Sequence, residues 1–97
     1  MELKIQIKTL PTQPGVYQYY DKNGDILYVG KAKNLKKRVA SYFNKNHEIA
    51  KTRVLVKKIA TIKHIVVDTE TDALLLENNL IKKYQPRYNV MLKDEKT

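Results

Sequence analysis

Two tyrosines on short tripeptides, Gly15-Val16-Tyr17 and Tyr28-Val29-Gly30, flank a turn signal at Asn23-Gly24. Gly15 to Tyr20 and Ile26 to Val29 are strand-forming and Asp21-Lys22-Asn23-Gly24 is a strong turn sequence, so the segment predicts a β-hairpin. With Asn23-Gly24 at the centre of a two-residue turn, Tyr19 faces Tyr28 and Tyr17 faces Gly30. Side-chain alternation then puts Tyr17, Tyr19 and Tyr28 on one face, with Tyr17 and Tyr28 as diagonal neighbours. A four-residue loop keeps that register, whereas a three-residue loop changes it. Each phenol taken alone can be an ordinary sheet aromatic, and Gly30 a simple strand end; paired in a strongly basic chain, the phenols point to proton transfer at a phosphate.

The second candidate is a carboxylate. Thr69 followed by Asp72 resembles a capping box, opening a helix that ends just before Pro86. On that helix Glu77 has Ala73, Leu74, Leu80 and Ile81 at its i±3 and i±4 positions, all apolar. The carboxylate therefore projects from the face expected to pack on the domain, where a lone charge costs several kcal/mol unless it is paired, hydrogen-bonded or metal-bound. A structural ion pair, an edge position and a divalent-metal ligand are all open. A single such carboxylate suits one Mg²⁺ held largely by water and phosphate better than a two-metal clamp.

The elements that must position these groups follow from the rest of the chain. Leu3, Ile5 and Ile7 alternate like a strand while Leu3, Ile7 and Leu10 suit a short helix, so the first ten residues are ambiguous. Asn34 is a plausible cap for a helix carrying Leu35, Val39 and Phe43 on its apolar stripe, with Arg38 and Tyr42 four residues apart along its edge. A second helix is expected from about His47 to Ala60 with Ile49, Val56 and Ile59 inward, and Ile62 to Val67 reads as a third strand. Tyr84 and Tyr88, flanking Pro86, are expected to pack the C-terminal turn rather than stack on bases, and Asn89 to cap a local backbone turn. The fold class is α/β (α+β): a small three-stranded antiparallel sheet flanked by helices, in one domain over residues 1–97.

Ninety-seven residues at 42% hydrophobic content make one modest core. Cysteine is absent, which removes disulfide frames and thiolate zinc sites, and His47 and His64 lie far apart without local ligand spacing. No apolar run approaches a membrane span, so the chain is expected to be soluble and cytoplasmic with no membrane partner. The net charge is +9, and ten of the basic residues fall between Lys31 and Lys58 against one acid, Glu48. That block fits a solvated helix face or a phosphate-backbone footprint, and it lacks the bulky apolar face of a membrane binder.

The tripeptides and their company resemble the GIY-YIG nuclease superfamily, with Val16 and Val29 in place of the named isoleucines. Tyr28-Val29-Gly30-Lys31-Ala32 leading to Arg38 and Tyr42, then Glu77 on a late helix, is similar to that superfamily's site in order. Within it, Pro14-Gly15-Val16-Tyr17, the stretch Lys31 to Phe43, and the run from Leu75 through Tyr84 to Val90 resemble the N-terminal domain of UvrC-type excision-repair nuclease subunits. The resemblance covers nearly the whole chain. It implies a GIY-YIG endonuclease fold, a longer protein of which this is the N-terminal domain with Lys93 to Thr97 as the cut edge, and hydrolysis of a DNA phosphodiester on the 3′ side of a lesion. It also implies damaged double-stranded DNA as substrate, a UvrB-type helicase subunit as the partner that delivers it, and a domain monomeric by itself.

The resemblance carries a set of roles. Tyr28 is the expected general base and Tyr17 its hydrogen-bonded partner, although the two could exchange. A free phenol near pKa ~10 is a poor base at neutral pH, so Lys31 and a metal are expected to favour the phenolate. Arg38 is expected to bind the scissile phosphate with its planar fork, Glu77 to hold one Mg²⁺ or Mn²⁺, and Tyr42 and Asn89 to orient these groups. Lys31, Lys33, Lys36, Lys37 and Arg38 form the expected DNA contact. A stand-alone GIY-YIG repair nuclease and a non-catalytic DNA-binding or docking module are the alternatives; the second would tolerate loss of Tyr28, Arg38 and Glu77.

Overall fold

A computed structural model describes residues 2–44 and 50–94. The chain runs α1 (Leu3–Lys8), β1 (Gly15–Tyr20), β2 (Ile26–Ala32), α2 (Leu35–Asn44), α3 (Ala50–Lys58), β3 (Thr61–Val66), α4 (Glu70–Tyr84) and α5 (Arg87–Asp94). The strands form one sheet in the order β2-β1-β3, with both pairings antiparallel. The ambiguous N-terminus is a helix, and α5 was not expected. Among the described residues no helix is long and apolar enough to cross a membrane.

The hairpin reaches its expected register by an unexpected route. Gly24 N–H donates to Asp21 C=O and Asp21 N–H to Asp25 C=O, so the loop holds three residues, not two. Gly24 sits at φ +85°, a conformation that suits glycine. The Asp21 carboxylate accepts the N–H groups of Asn23 and Asp25 and holds the turn closed. A three-residue loop shifts pairing by one, and the sheet takes the shift back: Tyr20 pairs with Ile26 while Tyr19 pairs with Tyr28, a bulge that leaves Leu27 as the extra residue. Tyr17 faces Gly30 as expected. Leu27 and Tyr28 consequently both pack against the tyrosine cluster rather than alternating away from each other.

The two faces of the sheet divide the core. Val16 and Val29, the centres of the two tripeptides, are fully buried with Ala73 under α4. Their partners Tyr17 and Tyr19 face the other way, into a cluster with Leu35 and Val39 of α2 and Leu55 of α3. Leu55, rather than Val56, is the fully buried residue of α3; Lys45, His47 and Ile49 lie outside the described residues.

Local chemistry fixes the helices that carry the site. Asn34 Oδ1 accepts Lys37 N–H at 3.0 Å, and the first N–H groups of α2 donate to Gln13 and Pro11 carbonyls of the loop before β1. Thr69 caps α4 by accepting Asp72 N–H at 3.1 Å, a contribution of about 1 kcal/mol. Gln85, at φ 43°, closes α4 with its N–H on Ile81 C=O, and Pro86 then opens α5.

Candidate active site

The hairpin presents Tyr17, Tyr19 and Tyr28 to α2, and Tyr42 of α2 wedges among them. The Tyr17 and Tyr42 hydroxyls are 2.9 Å apart and share a hydrogen bond. The Tyr42 ring stands edge-on to Tyr17 and Tyr19 at 5.8 and 5.2 Å and lies 6.3 Å from Tyr28. The rings of Tyr17 and Tyr28 are 6.3 Å apart, and Tyr17 bonds to Tyr42 rather than to Tyr28 as expected. Diagonal neighbours on a sheet stand about 7–8 Å apart, which leaves room for a ring from the next layer. Arg38, one turn before Tyr42, places its guanidinium 5.2 Å from the Tyr42 ring centroid.

The motif glycines are clearances. A methyl group on Gly30 would overlap the Tyr17 ring carbon Cζ and its hydroxyl, so Gly30 is the floor on which the phenol lies, not merely a strand end. A methyl on Gly15 would meet the Ile65 carbonyl and Leu35, which lets β3 and α2 close on β1. The cross-strand pairing of Tyr17 with a glycine was the readable signal for the first of these.

Glu77 reaches the same place from the opposite layer. It is half-buried rather than fully buried, its Oε2 accepts the Lys31 backbone N–H at 3.0 Å, and among the described residues it makes no side-chain ion pair. Its neighbours Leu74 and Leu75 are exposed, because α4 turns its Ala73 side to the sheet and leaves Glu77 at the edge of β2. Asn89 of α5 accepts Val29 N–H at 2.8 Å and donates to Val29 C=O at 2.9 Å, rather than capping a local turn. The outer edge of β2 is thus closed by two side chains in place of a fourth strand. Lys31, Lys33, Lys36 and Lys37 are exposed around this edge and the start of α2, and Lys33 pairs with Glu70 at 3.5 Å.

Burial raises the pKa of every phenol in the cluster. Burial, then the charge of Tyr28, pushes Tyr17 up to about 12, with Tyr42 and Arg38 pulling the other way. Tyr28 is also raised, by burial first and then by Tyr42 and the Glu77 carboxylate, with Arg38 opposing. For Arg38 burial works against the charge, and attraction to Tyr17, Tyr42 and Tyr28 outweighs it. Arg38 therefore acts on the cluster as a cation, and Lys31 supplies its backbone N–H to Glu77. Tyr17 is 1% exposed while Tyr28 is half-buried, so solvent reaches Tyr28 first.

A family profile for the UvrC-like GIY-YIG domain matches residues 13–90, which hold every candidate catalytic side chain. The chain belongs to the UvrC-like GIY-YIG domain family. The UvrC-like domain is 79% identical over 95 residues to UvrABC system protein C of Flavobacterium psychrophilum and 77% identical over 95 residues to that of Christiangramia forsetii. It covers 98% of this chain and spans 16% of the length of each relative. Among solved structures it matches the GIY-YIG N-terminal endonuclease domain of UvrC from Thermotoga maritima bound to magnesium, its catalytic divalent cation. That match has a TM-score of 0.77 at 41% identity over 91% of this chain and 98% of that one. Single tyrosine-to-phenylalanine variants and an asparagine-to-alanine variant of that T. maritima domain are likewise bound to the cation. The three-stranded antiparallel sheet with flanking helices is the GIY-YIG fold.

Proposed function

We propose that this chain is the DNA-cleaving N-terminal domain of a longer UvrC-type protein, hydrolysing a phosphodiester on the 3′ side of a lesion during nucleotide excision repair. The observation that carries the reading is convergence: Glu77 of α4 accepts the Lys31 N–H at 3.0 Å, three residues along β2 from the half-buried phenol of Tyr28, and Arg38 of α2 lies 5.2 Å from the Tyr42 ring, which is 6.3 Å from that of Tyr28.

The donor set fits one divalent ion. Glu77 uses a single hydrogen bond from a backbone N–H to fix its orientation, and no group of three or more His, Cys, Asp or Glu side chains gathers among the described residues. A lone carboxylate matches Mg²⁺ or Mn²⁺ retained mostly by water and phosphate. When bound at Glu77, the ion supplies a Lewis acid for the phosphate and the leaving oxygen. The T. maritima domain, which binds magnesium, supports that choice.

The chain's own residues perform the remaining tasks. As the phenolate, Tyr28 takes the proton of the attacking water on its oxygen and becomes the neutral phenol; because its pKa is raised, Arg38 serves as the cation that favours the phenolate. Arg38 also offers a planar fork to the scissile phosphate. Tyr42, bonded to Tyr17, keeps Tyr28 and Arg38 in place. Asn89 holds the β2 edge from which Tyr28, Gly30 and the Lys31 N–H project. The side chains of Lys31, Lys33, Lys36 and Lys37 contact the DNA backbone. Damaged duplex DNA is the substrate, a UvrB-type subunit delivers it, the domain is monomeric and the protein works in the cytoplasm.

The test is incision of a lesion-bearing duplex by the full-length protein carrying this domain. Glu77→Ala removes the 3′ cut while DNA binding persists; a retained 3′ cut overturns the assignment.

A further inference from the structure

On the other face of the sheet from the catalytic tyrosines lies a second aromatic pair. Tyr20 follows Tyr19 at the end of β1, and Tyr84 ends α4. Tyr88 packs as expected at 2% exposure, but Tyr84 remains 45% exposed. Each ring of the pair carries a lysine: Lys63 Nζ is 5.0 Å from the Tyr20 centroid and Lys83 Nζ is 5.2 Å from that of Tyr84. Ile26, the cross-strand partner of Tyr20, packs in one apolar cluster with Leu80 and Ile81, one turn before Tyr84, which brings the end of α4 to the Tyr20 end of the hairpin. Asp21, the residue after Tyr20, has its carboxylate occupied by the N–H groups of Asn23 and Asp25 in its own turn.

We propose that Tyr20 and Tyr84 form a stacking platform for unpaired nucleobases of single-stranded DNA, with Lys63 and Lys83 turning to the flanking phosphates. An exposed cation–π contact is weaker than the stacking of a base on an aromatic ring. A base therefore displaces a lysine from its ring, and the freed ammonium finds a phosphate at once. The positive charge selects a polyanion, and the exposed π-face selects its bases. Tyr84 lies two helical turns beyond Glu77 on the same side of α4, about 10 Å along the axis. That distance corresponds to about three nucleotides of a stacked strand. The inference rests on the reading of the chain as a DNA nuclease and adds to it a place for bases next to the cut.

The test measures binding of two labelled oligomers of equal length, oligothymidylate and its abasic counterpart, to this chain in the presence of a chelator. Tyr84→Ala weakens oligothymidylate binding about 5- to 100-fold and leaves the abasic oligomer within twofold. Tyr84→Phe keeps the wild-type preference, which separates stacking from a hydroxyl contact and from misfolding. Tyr20→Ala shows a smaller loss of the same kind. Equal losses on both oligomers, or no loss with Tyr84→Ala, overturn the platform. Incision of a lesion-bearing duplex by the wild-type full-length protein tells the two readings apart: a Tyr84-dependent preference for bases with no incision sinks the nuclease and spares the platform. Cutting with no Tyr84-dependent preference for bases does the reverse.

Discussion

Glu77 on α4 and Lys31 on β2, 46 residues apart in sequence, are joined by a 3.0 Å hydrogen bond from the Lys31 backbone N–H to Glu77 Oε2. Because the donor is backbone, the carboxylate is aimed by the sheet itself.

Glu77→Gln preserves an acceptor for that N–H while removing the charge. The expected outcome is a folded domain with unchanged melting behaviour that has lost titratable Mg²⁺ binding by calorimetry and at least about 100-fold in cleavage rate. Intact Mg²⁺ affinity in this variant would place the ion elsewhere.

Tyr28 has a raised pKa, so its phenolate is the minor form at neutral pH. If the phenolate takes the proton, cleavage at saturating Mg²⁺ must rise with pH from neutral into the alkaline range, about tenfold per unit until the bound-state pKa is reached. Tyr28→Phe is expected to lower the rate about 100- to 10,000-fold and to flatten this profile. Initial rates across the pH range check both; a Tyr28→Phe variant with the wild-type slope reassigns the base.

Gly30→Ala forces a methyl group into the Tyr17 hydroxyl. Overpacking of this kind costs about 1–3 kcal/mol, and the displaced phenol loses its bond to Tyr42. Denaturant unfolding is expected to show the lower midpoint. Paired with Tyr17→Ala, which clears the space, the glycine substitution should cost much less, and a double-mutant cycle measures that coupling.

Tyr19 is fully buried, and its hydroxyl is the one side-chain polar atom among the described residues that is buried with no hydrogen-bond partner. Tyr19→Phe removes an unsatisfied group without changing shape, so the variant should be more stable by about 1–2 kcal/mol. Thermal and urea unfolding read the gain, and cleavage is expected to stay at the wild-type level because Tyr19 touches no reacting atom.

Much of this was legible in the chain. The hairpin, the Asn34 and Thr69 caps and the third strand follow from local propensity and alternation, which act over a few residues; the pairing of Tyr17 with Gly30 came out as expected only because a bulge offsets the three-residue loop. The anomaly of Glu77 followed from its four apolar helical neighbours. Other features belong only to the folded molecule. The compensating bulge at Leu27, the Tyr17–Tyr42 bond, the backbone N–H that aims Glu77 and the Asn89 clamp on Val29 all join elements distant in sequence. The same holds for the exposure that separates Tyr28 from Tyr17 and Tyr84 from Tyr88. Residue types and spacing determine which groups can do chemistry and which face each occupies. Which hydroxyl meets which, and which phenol meets water, is set by how helices from other parts of the chain fill the space above the sheet.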